Sequence, residues 1–426
     1  MGISKDQIKY LSFEGGGGKG NAFVGAIAAL QKLKVLQFQN NRMVGQIKEI
    51  SGASAGAITA LLLGSGYSFY ELRAVLLSTQ FDKFFDNPQV GENIVVGKGF
   101  SFVDAATARK RLKGSPSSVE AVMTFVSFVL TAYGLNKELS AEARKAVVGF
   151  LLDKYGLTKE NPKLAEKLRQ NVDLYLQCLI LDFGLFSGDK IQRAFNLWIS
   201  TKIYMAKRNI RQDDREGKLS AIEDAEKDNG ARGGKVHLWT FREHFEVFRV
   251  KLKFTSVNFR TAKLQILSVD TTPDFPVAQA ARMSMSLPCI FKPVVINGES
   301  LKECKLEAFW EGLWVDGGLF DNAPVKVFND NASTLLFRLG DRKENNKLNS
   351  IFEFLTAYLT IGLASIGSGE ATETTFPQDN IVPLDVAGTS LLRFDLDVND
   401  FDALARVNYF IAMRFFGSDA PWPDQL

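Results

Sequence analysis

Twice before residue 66 a short apolar run ends in a cluster of small residues and then continues at helical spacing. The first run is residues 8–13, followed by the glycine-rich EGGGGKG and a helical pattern over 21–33. The second is residues 47–51, followed by SGASAG and the apolar stretch that begins near Ser54. A strand that feeds a helix through a glycine-rich turn is the first half of a crossover unit. Two in succession commit the chain to an α/β fold with a mostly parallel sheet.

The remainder of the sequence is compatible with that commitment. Its 426 residues are 46% hydrophobic and 23% charged, the balance of a soluble globular chain with a sizeable core. A net charge of +3 gives no nucleic-acid footprint. The 34 phenylalanines imply a deep apolar core or an apolar pocket. Cys178, Cys289 and Cys304 are odd in number and widely spaced, which fits neither a metal pattern nor a disulfide framework and points to a reducing compartment. The N-terminus lacks the apolar core of a signal peptide, and Asp6 stands where N-myristoylation wants Ser or Thr. The longest apolar stretch, 119–135, is broken by Glu120, Thr124, Ser127, Thr131 and Gly134, so no membrane span is expected. A meeting with a membrane would take place from its surface.

Between residues 101 and 185 the pattern turns helical, with no good strand. Ser117 and Glu120 form a capping box and Gly134 stands where that helix would end; a second helix is expected over 140–155. Residues 212–234, rich in Asp, Glu, Lys and Gly, read as a solvated loop or linker. Strands return at 252–259 and 264–269, expected as an antiparallel pair at a sheet edge, then at 313–315, 334–339 and 381–384. Helices are expected over 351–366 and 401–416.

A glycine loop between strand and helix points several backbone N–H groups at whatever sits above it, and so stabilises an anion. A phosphate-binding Walker loop fails because Phe13 and Gly20 stand where Gly and Ser or Thr are required. Gly15, Gly17 and Gly20 meet a dinucleotide fingerprint, but the second strand ends in Ser51-Gly52-Ala53-Ser54 rather than in an acid. An oxyanion hole uses that second strand end well, because it delivers Ser54 beside the loop. In G-x-S-x-G, Gly52 and Gly56 would let the serine sit on a sharp elbow, although small residues also serve plain close packing.

Ser54 then needs a base. The chain holds two histidines, His237 and His244, and none follows Asp316, so the usual Ser, Asp, His order cannot be built. Both histidines read as surface or internally satisfied residues. Asp316 ends an apolar strand in GLWVDGGLFDNAPV, with Gly317, Gly318 and an Asn322-Ala323-Pro324 turn beyond. It is either a turn aspartate capping its own backbone or a general base held at a strand tip.

Taken together, residues 14–20, GASAG at 52–56, the Asp316-Gly317-Gly318 motif and the stretch AARMSMSLPCIFKPV at 280–294 resemble the patatin-like phospholipase family. The similarity runs over roughly residues 7–80, 183–200 and 250–416. The resemblance implies a three-layer α/β fold with a mostly parallel central sheet, in a single domain over 1–426 whose core is about 7–100 and 183–416. It implies Ser54 as nucleophile, Asp316 as base and the N–H groups around Gly15, Gly16 and Gly17 as oxyanion hole. Gly18, Lys19, Gly20, Gly52, Gly56, Gly317 and Gly318 are the supporting motif, with Lys19 bracing the loop. The activity implied is phospholipase A or lysophospholipase hydrolysis of fatty-acyl esters, without metal or organic cofactor. The alternatives are a neutral-lipid lipase, an acyltransferase, or an inactive module that binds anionic headgroups. The expected partners are an acyl-lipid substrate and a membrane surface, with a protein activator and secretion as an effector without signal peptide left open. The expected place is the cytoplasm or the membrane periphery. The departure from a minimal domain is the helical insertion at 101–183, within which 118–133 is either its buried centre or a lid. A lid would present Phe125, Val126, Phe128 and Val129 to acyl chains.

Overall fold

The computed structural model describes residues 2–79, 89–103, 162–340, 376–386 and 396–423, with isolated positions between these stretches. In chain order the strands are β1 Tyr10–Phe13, β2 Gln37–Gln39, β3 Arg42–Val44, β4 Glu49–Gly52, β5 Asn93–Val95, β6 Ser101–Val103 and β7 Gly184–Phe186. They continue with β8 Lys251–Asn258, β9 Lys263–Ser268, β10 Cys289–Phe291, β11 Val294–Ile296, β12 Gly312–Asp316, β13 Thr334–Leu339 and β14 Ile381–Leu384. The helices are α1 Phe23–Lys32, α2 Ala55–Gly64, α3 Phe69–Ser78, α4 Pro162–Gln170, α5 Val172–Asp182 and α6 Asp189–Lys207. After them come α7 Arg215–Asp228, α8 Phe241–Phe248, α9 Val277–Ser284, α10 Gly298–Glu303 and α11 Val398–Phe415.

Ten strands form one mixed sheet in the order β14-β13-β1-β4-β8-β12-β11-β5-β6, with β9 against β8. Its first five strands run parallel, as two successive strand–turn–helix units require. β12 then runs against β8 and carries Asp316 back to the level of Ser256. Helices flank this sheet. The two strands followed by glycine turns lie at its centre: Leu11, Ser12 and Phe13 in β1 and Ile50, Ser51 and Gly52 in β4 are buried. All ten residues of α2 are buried too, which suits a helix that is apolar all round.

Three expectations need correction. The stretch 101–185 does hold strands, because β6 pairs with β5 and β7 with β10. Each is three residues long, too short for alternation to register. The expected linker at 212–234 contains α7, whose Asp214 N-cap accepts from the Gly217 N–H at 2.8 Å. Its apolar stripe shrinks to Ala221 and Ala225, so hydrophobic periodicity is faint. Asp228 at its end makes up for this by accepting from Tyr204 and Trp239 at 3.1 Å each. Finally, β8 and β9 are antiparallel as expected, yet β8 is interior to the sheet, joined to β4 and β12 as well as β9. The capping box at 117–120, Gly134, the segment 118–133 and the helix expected at 351–366 lie outside the described residues, as does most of 140–155.

Candidate active site

Ser54 occupies the turn between β4 and α2 with φ 50° and ψ −120°, a conformation that costs energy for a residue with a side chain. The flanking glycines explain how so tight a turn fits. A Cβ on Gly52 would lie 2.2 Å from the carbonyl carbon of Gly56, and one on Gly56 would lie 2.1 Å from the Phe13 carbonyl oxygen. The Ser54 N–H donates to the carbonyl of Ser284 at 3.2 Å and to its hydroxyl at 3.3 Å. The end of α9 therefore holds the elbow from the other side.

Asp316 reaches the same place from the last residue of β12. Its N–H donates to the Ser286 carbonyl at 3.0 Å, and its Oδ1 accepts from the Gly318 N–H at 2.7 Å. Gly317 lets this loop lie flat across β8, since a Cβ there would stand 2.3 Å from the Thr255 carbonyl oxygen. The carboxyl is buried, and the Ser54 hydroxyl is near enough to act on its charge. Burial raises its pKa from the ordinary carboxylate range to about 7, against the opposing pulls of the Gly318 N–H, the Ser54 hydroxyl and the Arg282 charge. A carboxyl so placed can both accept and return a proton near neutrality.

The glycine loop closes the third side. A Cβ on Gly15 would fall 3.2 Å from the Ser54 Cβ, so the loop and the serine are in direct contact. Within the expected donor trio, Gly15 is already engaged, because its N–H donates to the Asn322 carbonyl at 2.9 Å. The N–H groups of Gly16, Gly17 and Gly18 donate to no backbone carbonyl among the described residues. Gly17 has φ +54°, which glycine adopts without strain. The available donors are thus shifted one residue along from those expected. Lys19, expected to brace the loop, has no ion-pair partner among the described residues, and its main-chain N–H closes a turn on Gly16 at 3.1 Å.

Four side chains at this site escaped the sequence reading. Ser284 holds the elbow. Arg282 is fully buried and donates to the Ser286 hydroxyl at 2.6 Å, to the Ser187 carbonyl at 2.7 Å and to the Lys292 carbonyl at 3.2 Å, fixing the segment on which Asp316 hangs. Glu14 and Asn322 meet across the glycine loop, with the Asn322 amide donating to Glu14 Oε1 at 3.4 Å. Arg282 and Ser284 lay within a stretch noted only for its likeness to a family, and Asn322 within a turn.

Neither histidine touches the site. His244 is buried against the Ser65 hydroxyl at 3.0 Å, and desolvation pulls its pKa down to about 3. His237 packs edge-on against Trp239 and lies 3.6 Å from Glu243. The three cysteines are buried free thiols, and burial pushes Cys289 and Cys304 up to about 12. No described helix is long and apolar enough to cross a membrane.

A serine on a strand–helix elbow, a buried carboxyl beside it and a glycine loop opening a helix define an α/β protein with a small polar centre. The chain belongs to the patatin-like phospholipase family, whose model matches residues 11–329. Over 88 residues it is 28% identical to the probable lipid hydrolase 463L of Invertebrate iridescent virus 6, covering 21% of this chain and 26% of that protein. Over 80 residues it is 39% identical to an uncharacterized protein of Acanthamoeba polyphaga mimivirus, covering 19% of this chain and 25% of the other. The matched stretches thus span about a quarter of each of these relatives. Among solved structures, VipD from Legionella pneumophila aligns with a TM-score of 0.45 at 18% identity, over 96% of this chain and 67% of that one.

Proposed function

We propose that this protein hydrolyses fatty-acyl esters of phospholipids or lysophospholipids through a Ser54–Asp316 dyad and an acyl-enzyme intermediate. The observation that carries the reading is a buried carboxyl, its pKa raised to about 7, lying beside the serine that stands on the strained elbow. Family membership and the lipid-hydrolase name of one relative support the substrate class.

In this reading Asp316, as carboxylate, takes the hydroxyl proton while Ser54 Oγ attacks the ester carbonyl carbon. The same desolvation that penalises the carboxylate favours the neutral acid it becomes, so proton acceptance is made easier by burial. Negative charge builds on the former carbonyl oxygen and is met by the N–H groups of Gly16 and Gly17, with the partial positive charge of the α2 N-terminus behind them. Collapse breaks the ester C–O bond, and the proton on Asp316 goes to the departing alcohol oxygen. Water then repeats the sequence against the acyl-serine, with Asp316 taking its proton, and the fatty acid leaves. In this reading the lipid is reached from the membrane surface, and residues 101–183 are an insertion into a single domain.

The test is hydrolysis of a soluble chromogenic acyl ester and of phospholipid vesicles, with products identified by mass spectrometry. Ser54→Ala and Asp316→Asn should each lower turnover by about 1000-fold or more, and the double variant should be little worse than either, because the two act as a unit. Losses that multiply in the double variant, or an active Asp316→Asn protein, would remove the dyad.

A further inference from the structure

Asn322 grips the glycine loop by both ends of one residue. Its main-chain carbonyl accepts from the Gly15 N–H at 2.9 Å, and its side-chain amide donates to the Gly15 carbonyl, also at 2.9 Å. The same amide reaches Glu14 Oε1 at 3.4 Å, while Glu14 Oε2 accepts from the Leu339 N–H at 2.6 Å at the end of β13. There is no slack in this arrangement: a Cβ on Gly15 would lie 2.4 Å from Asn322 Oδ1, and one on Gly318 would lie 2.6 Å from it. Asn322 therefore wedges between the loop that carries the oxyanion donors and the loop that carries Asp316.

Peptide geometry turns this grip into a consequence for chemistry. The Gly15 carbonyl and the Gly16 N–H belong to one planar trans unit, so they point in opposite directions. Whatever holds the carbonyl aims the N–H. Two joined glycines resist rotation of their shared peptide less than any other pair, and a flip would replace the Gly16 donor with a carbonyl oxygen that repels an oxyanion. We propose that Asn322 is a positioning residue that latches the Gly15–Gly16 peptide, with Glu14 steadying the latch, so that the Gly16 N–H faces the developing charge. This rests on the reading of the glycine loop as an oxyanion hole. Because Asn322 lies on the segment that follows Asp316-Gly317-Gly318, base and oxyanion donors are set by one short stretch of chain.

The latch acts on the transition state and leaves ground-state binding alone, which separates it from a merely structural role. In Asn322→Ala and Asn322→Asp, kcat on a soluble acyl ester should fall by about 100-fold while KM stays within about twofold. Asn322→Asp keeps the side-chain shape but turns an oxygen toward the Gly15 carbonyl and the Glu14 carboxylate, so it carries the test if the alanine variant fails to fold. A trifluoromethyl ketone of matching chain length, which forms an oxyanion on Ser54, should lose affinity by a factor comparable to the loss in kcat. A non-reactive ether of the same length should bind as it does to the wild type. Wild-type kcat and ketone affinity in both variants, alongside an inactive Ser54→Ala, would overturn the latch and leave the dyad standing. Parallel loss of ketone and ether binding with a lowered melting temperature would also overturn it. An active Ser54→Ala would instead bring down the hydrolase reading itself.

Discussion

In the proposed mechanism Asp316 has to be an anion when it takes a proton from Ser54 and a neutral acid when it returns one. A carboxyl at the ordinary pKa of about 4 does the first poorly near neutrality, because it holds protons too weakly. Burial lifts it to about 7, and the Gly318 N–H at 2.7 Å keeps the charged form from becoming prohibitive. The sign of the activity profile follows, since only the carboxylate can start the reaction. The value of kcat/KM on a soluble ester should rise with pH through a limb centred near 7 and level off above it. His244, with its pKa near 3 and its contact to Ser65, cannot be the source of that limb. His244→Gln should therefore keep it. A limb centred near 4 would mean a solvated Asp316, and a limb lost in His244→Gln would mean a histidine base.

At the scale of elements, the elbow between β4 and α2 depends on backbone passing backbone. A methyl on Gly56 would meet the Phe13 carbonyl oxygen at 2.1 Å, and main chain in the middle of a sheet has little room to yield. Gly56→Ala should lower stability by about 1–3 kcal/mol, the range for overpacked interiors, read as a lower melting temperature with activity lost at once. Gly298→Ala, at a position with nothing within 4 Å, is the control and should leave both unchanged. Equal behaviour of the two would show that the elbow is looser than its geometry. This crowding is also why so much was legible in the sequence. β1, β4, β12 and β13 are interior strands of the sheet, where burial forces apolar runs and close contacts force glycine, and those requirements leave marks in the chain. The strands β6 and β7 and the helix α7 do not carry such marks, because three residues show no period and two buried alanines show little hydrophobicity. The site divides the same way. Ser54 and Asp316 stand inside motifs whose chemistry is local, whereas the engagement of the Gly15 N–H and carbonyl depends on Asn322, some three hundred residues away along the chain. Arg282, which reaches its partners through carbonyls of distant segments, is hidden for the same reason.

For the molecule as a whole, two buried titrating groups pull stability in opposite directions as pH changes. Asp316 has a folded pKa raised from 3.8 to about 7, so the folded state holds a proton that the unfolded state gives up. Its contribution is fully present below about pH 4 and is lost as pH rises toward 7, amounting to roughly 4 kcal/mol when complete. His244 has a folded pKa lowered from 6.5 to about 3, so the unfolded state takes up a proton that the folded state refuses. Its contribution is present above about pH 6.5 and is lost as pH falls. Between about pH 4.5 and 6.5 the two slopes, each at most about 1.4 kcal/mol per pH unit, nearly cancel. Variants uncover them, because every other titrating group drops out of a difference against the wild type. The melting temperature of Asp316→Asn minus that of the wild type should grow from pH 4.5 to pH 7 and then stay level. The corresponding difference for His244→Gln should grow in the opposite direction, from pH 7 down to pH 4.5. A flat Asp316→Asn difference across that range would mean that the carboxyl is not buried as a neutral acid at low pH. Its role as a base tuned by desolvation would then fail together with the stability argument, since both rest on the same missing water.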